Sequence, residues 1–185
     1  IDGVNYKIPS RIQCQSCHND SVNGAIGPEY RQLNFEHEYS NGVQENQIEY
    51  LTKIAYLPES ALALQEELTA LPDYHLSDFT NKERMDSFVH SNCAYCHNPE
   101  GTARGSLDFR WQEVPQWNAC NKEPEVSSLD VEDAKLIAPG HPEKSMIYKR
   151  LNTTELYRMP AIGRTTIQHD VVEVLEDYIN EVECN

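Results

Sequence analysis

The sequence predicts a mainly α-helical protein built from two small helical modules, and three observations carry that expectation. Apolar residues recur at spacings of three and four from Thr166 to Val182, the pattern of an amphipathic helix. Prolines and capping residues divide the other apolar stretches into short helical segments rather than alternating strands. The five-residue pattern Cys-x-x-Cys-His occurs twice, once in each half of the chain, at Cys14–His18 and Cys93–His97.

Taken in order, the stretch from Ile1 to Leu71 is the less regular part. Pro9 lies shortly before Cys14, which rules out a long helix entering the first motif. Gly27-Pro28 follows as a turn. Glu45 to Leu57 reads as helix, with Ile48, Leu51, Ile54 and Ala55 on one side. Pro58 suits the first turn of a second helix running to Leu71, and Pro72 ends it. Pro72 to Phe79 is the expected connector, giving modules 1–78 and 79–185. Thr80 to Asn92 reads as a helix leading into the second motif, capped by Thr80 with Glu83 completing a capping box. Gly101 to Ile137 is a long, weakly periodic insertion. Its Trp111 and Trp117 are suited either to covering a cofactor edge or to packing the core. A turn at Ala138–Pro142 opens a short helix to Leu151. The loop Arg158–Arg164 then precedes the final helix, whose apolar side holds Ile167, Val171, Val174, Leu175, Tyr178, Ile179 and Val182.

Composition narrows the function classes. The 185 residues carry 30 acidic and 15 basic side chains, a net charge of -15. Such a chain lacks the basic surface that nucleic acid requires. Its charge suits attraction to a basic partner, or solubility alone. No apolar run approaches the roughly 18 residues of a membrane span, and mean hydropathy is -0.65. No signal peptide is visible, so export implies that Ile1 follows a removed segment. A module of about 80 residues has a thin apolar core, which a large buried cofactor would reinforce.

The two Cys-x-x-Cys-His motifs point to that cofactor. Two thiols three positions apart can form thioethers to the vinyl groups on one edge of a porphyrin, and the next residue then places an imidazole beneath the iron. The expectation is two covalently bound haem c groups, attached through Cys14, Cys17, Cys93 and Cys96, with His18 and His97 as proximal iron ligands. On this composition one chance match is on the order of a one-in-a-hundred event, and two are far rarer. Zinc knuckles lie much closer in sequence and need no histidine after each pair. A redox dithiol needs none either. The remaining cysteines, Cys120 and Cys184, form an even pair suited to a disulfide in an oxidising compartment.

A helix before the second motif and another closing the chain resemble class I cytochrome c. The resemblance extends to Met159-Pro160, because those cytochromes take a distal methionine from a loop before their last helix. Met159 follows His97 at a separation usual in that fold. The resemblance implies that Met159 is the distal ligand of the second haem, with Met85 and Met146 as packing residues, and that the C-terminal module is class I-like with a long loop insertion. It also makes Pro28 the candidate carbonyl partner for His18. Pro139-Gly140-His141-Pro142, Tyr148-Lys149-Arg150 and Met159–Arg164 are similar to a family of exported bacterial di-haem proteins. Some members of that family are linked to quinone-dependent sugar dehydrogenases, and the likeness runs from about Tyr6 to Ile179.

The distal ligand of the first haem stays open between His37, Met85 and no strong ligand; His75, His90, His141 and His169 are more remote candidates. The expected function is electron transfer outside the cytoplasm, in the periplasm or secreted, between redox proteins such as an exported dehydrogenase or another cytochrome. Neither a catalytic triad nor a phosphate-binding glycine loop is recognisable. The alternative is a di-haem peroxidase or a gas or redox sensor that uses an open first haem.

Overall fold

In the computed structural model, which describes Gly3, residues 6–22 and residues 24–184, helices dominate and the only sheet among the described residues is a two-stranded hairpin. Two compact units divide the chain: Ile1–Ile26 together with Tyr74–Asn185, and Gly27–Asp73. This differs from a single boundary at residue 78. The first Cys-x-x-Cys-His segment belongs to the same compact unit as the second, because it packs beside the loop that follows Cys96.

The larger unit begins with α1 (Arg11–Cys17). Ser10 caps it, accepting from the Gln13 amide while the Gln13 side chain reaches back to the Ser10 amide. Pro9 allows this helix because it stops just short of it. The smaller unit holds α2 (Tyr30–Leu33), β1 (Glu36–Glu38), β2 (Gln44–Asn46), α3 (Gln47–Lys53) and α4 (Ala61–Glu67). The strands pair antiparallel, with His37 opposite Glu45. Asn46 links hairpin to helix: its side chain caps α3 by accepting from the Ile48 amide, and it donates to Asn34. Asn34 in turn donates to the Gln65 and Leu68 carbonyls at the end of α4. Only Ile48 and Ala61 are buried apolar residues in this unit, so side-chain amides do much of the work that a core would do elsewhere.

The rest of the larger unit is built on α5 (Asn81–Cys93), α6 (Met146–Leu151) and α7 (His169–Glu181). The Thr80–Glu83 capping box forms at the head of α5. Met85, Phe88 and Val89 from α5 pack with Val171, Leu175 and Ile179 from α7. The insertion closes this core. Phe109 and Trp117 meet edge to face at 5.6 Å, and Trp117 leans on Tyr178 at 5.0 Å. The Trp117 indole N–H donates to Asp86 at 2.9 Å. Trp117 is therefore a core residue, and Trp111 is buried as well. Cys120 and Cys184 are joined in a disulfide, with Cα atoms 5.6 Å apart, tying the insertion to the end of α7. No described helix is long and apolar enough to cross a membrane.

Candidate functional site

Cys93 is the last residue of α5, and the chain then turns tightly through the second motif. The Cys96 and His97 amides both donate to the Cys93 carbonyl, at 3.1 and 2.9 Å. Asn98 fastens the turn by donating to the Ala94 carbonyl at 2.7 Å. Gly101 then passes so close that a β-carbon built there would sit 2.0 Å from the Cys96 carbonyl oxygen. The His97 ring packs edge-on to Phe109 at 5.1 Å.

Burial governs the protonation of this segment. It lowers the His97 pKa, so the imidazole is held neutral with a lone pair to offer. Burial, reinforced by the neighbouring Cys96 thiol, pushes the Cys93 thiol up to about 12. The Cys96 thiol is raised too, first by burial. The Tyr95 hydroxyl is raised by burial and then by the thiols of Cys93, Cys17 and Cys96.

Cys93, Cys96 and His97 open onto a cavity of about 440 Å³. Its walls are mostly apolar, from Phe88 and Val89 of α5, Ile147 and Leu151 of α6, and Leu175 of α7. Both its volume and its lining are those of a ligand or cofactor pocket. All three methionines of the chain line it. Met85 and Met146 are 1% exposed and serve as wall, whereas Met159 is 39% exposed on the loop before α7.

Three arginines shape that loop. Arg164, buried, donates to the Leu151 carbonyl at 2.5 Å and to the Thr153 carbonyl. Arg158 donates to the carbonyls of Arg164, Thr154 and Glu155, and Arg150 to that of Tyr157. The Met159 amide donates to the Arg150 carbonyl at 2.8 Å, which pins the methionine to the end of α6. Burial lowers the Arg164 pKa, with the nearby Arg158 charge adding to it.

The first motif is arranged differently. α1 carries Cys14 and Cys17; Cys17 lines the cavity with Ser16, while Cys14 and His18 are exposed and off it. His18 Nδ1 lies 3.0 Å from the Gly24 carbonyl. A carbonyl can only accept, so Nδ1 is the donor of this pair, which leaves Nε2 as the nitrogen turned away from it. The partner expected at Pro28 is thus Gly24, and Pro28 belongs to the smaller unit.

The other candidates are dispersed. His37 is exposed on β1 of the smaller unit, its ring edge-on to Phe35 and Tyr39. His75 lies against Asp170 and His141 against Glu143. His90 Nδ1 accepts from the Trp111 amide at 2.9 Å, and His169 opens α7. Among the described residues no three His, Cys, Asp or Glu side chains gather as a metal cage. Thr102, whose hydroxyl lies 3.3 Å from the Ser16 carbonyl, belongs to no recognisable short motif, so no sequence pattern points to it. No protein-family model, curated protein or solved structure matches the chain.

Proposed function

We propose that the chain is a c-type cytochrome that binds two haems covalently and passes electrons between redox proteins outside the cytoplasm. The observation that carries this reading is the convergence of Cys93, Cys96, His97 and Met159 on one apolar cavity, although Cys93 and Met159 stand at opposite ends of a long segment of chain. The donor set suits haem: two thiols for thioethers, a neutral imidazole on one side and a thioether sulfur on a braced loop. His18, oriented by its Nδ1 bond to the Gly24 carbonyl, would present Nε2 to a second iron. Bound haem would supply the one-electron chemistry; the chain supplies ligands, orientation and a dry wall. The Cys120–Cys184 disulfide favours an oxidising compartment.

The matured protein should exceed the bare chain by the mass of two haems, and Met159→Ala should abolish the long-wavelength band of sulfur-to-iron charge transfer in the oxidised spectrum. A colourless protein of bare-chain mass overturns the proposal; persistence of the band assigns the ligand to Met85 or Met146. The exposure of Cys14 and His18 also favours a second reading, in which the first haem is open and serves a peroxidase or sensor. Carbon monoxide separates the two: a carrier with both irons six-coordinate leaves its spectrum unchanged.

A further inference from the structure

The two attachment motifs lie in opposite halves of the sequence, yet the fold sets their second cysteines side by side. Cys17 and Cys96 line the same stretch of cavity wall, and each bears on the other electrostatically. Ser16 and Cys17 form part of the same cavity wall as Cys93, Cys96 and His97. Thr102 spans the junction, its hydroxyl 3.3 Å from the Ser16 carbonyl and 3.7 Å from the Cys96 sulfur, so that its one proton can serve either acceptor.

A thioether sulfur bonds to carbon at the rim of its porphyrin, so each of these cysteines marks one edge of the group it holds. Resting on the two-haem reading, the geometry points to a direct electron path between the two haem sites across the Cys17–Cys96 contact, with Thr102 as its bridging residue. With haem bound, Cys17 and Cys96 would each hold an edge of their own group, and Thr102 ties the two segments together. The exchange would be balanced within the haem-loaded protein: the one electron lost by a ferrous iron held at one motif would be the one gained by a ferric iron held at the other. It requires neither a proton nor a third reagent. The chain is then a relay with two coupled stations, not two independent carriers sharing a polypeptide. Cys14 and His18, exposed and away from the cavity, put the first station on the partner-accessible side.

The decisive measurement is electron redistribution after flash reduction of the full-length, haem-loaded protein. Redistribution should proceed at a rate independent of protein concentration, slow severalfold in Thr102→Val, and recover in Thr102→Ser, with two haems retained in both variants by mass. A rate that scales with protein concentration, or one that Thr102→Val leaves unchanged, overturns the path. The contact itself is checked separately on the haem-free full chain treated with a small-molecule disulfide. Two thiols are oxidised to one protein disulfide while the reagent is reduced to two thiols. A Cys17–Cys96 linked peptide should appear alongside Cys120–Cys184, the latter reporting that the chain is folded. Linkage confined to Cys14–Cys17 and Cys93–Cys96 overturns the contact. A protein without haem but with the Cys17–Cys96 link defeats the cytochrome proposal and spares the juxtaposition.

Discussion

At the scale of single residues, the second motif depends on an absence of side chain as much as on its cysteines and histidine. A β-carbon at Gly101 would sit 2.0 Å from the Cys96 carbonyl oxygen, which is fixed backbone rather than a flexible side-chain end. Gly101→Ala should therefore displace Cys96, and the matured variant should carry one haem fewer by mass. Cys93 yields a pH prediction for the haem-free chain. Its thiol holds its proton more tightly in the fold than in the unfolded chain, so its contribution is complete below the ordinary pKa of 9.0 and is lost as pH rises toward about 12. The urea midpoint of the haem-free chain should fall over that window, and Cys93→Ala should remove part of the fall. The motif residues were legible in the sequence because the Cys-x-x-Cys-His pattern occurs twice. The carbonyl opposite His18 was not: Gly24 holds it through a loop whose course depends on Gly24 adopting a φ of +75°.

At the scale of elements, legibility followed local chemistry. Thr80 and Glu83 announced the start of α5, and the structure has that box with both hydrogen bonds made. Thr80→Ala should cost about 0.5–2 kcal/mol, read from a denaturant series, since it removes the cap acceptor and one of the two donors to the Glu83 carboxylate. The periodicity of α7 was equally plain, with Val171, Val174, Leu175, Tyr178 and Ile179 all buried. The hairpin of Glu36–Glu38 and Gln44–Asn46 left no such trace. Each strand is three residues long, and the Glu-His-Glu strand is exposed throughout, so no alternation marks either face. α3 and α4 are also shorter than the apolar spacing at Glu45–Leu57 and Pro58–Leu71 implied. Ala55, at φ +59°, leaves helical geometry just beyond α3, and Leu68 does so after α4.

At the scale of the molecule, the sequence indicated helices but not the grouping of segments. Assigning Ile1–Ile26 to the same unit as the second motif depends on contacts such as Thr102 with Ser16, which join distant parts of the chain and leave no periodic signature. The Cys120–Cys184 disulfide acts at the same scale. It closes a long loop of chain, and opening it should lower stability by about 2–4 kcal/mol, measured as the shift in urea midpoint between oxidised and reduced protein. Replacing both cysteines by serine should reproduce that shift without reductant.

The arginine ties around Met159 have a consequence for the conditions under which the loop keeps its form. Arg150, Arg158 and Arg164 all grip backbone carbonyls there, although the chain offers twice as many carboxylates as cations. A carbonyl cannot be neutralised by acid, and a contact as shielded from solvent as that of Arg164 is little screened by dissolved ions. Brine or vinegar that unfastens the surface ion pairs will leave this buckle closed.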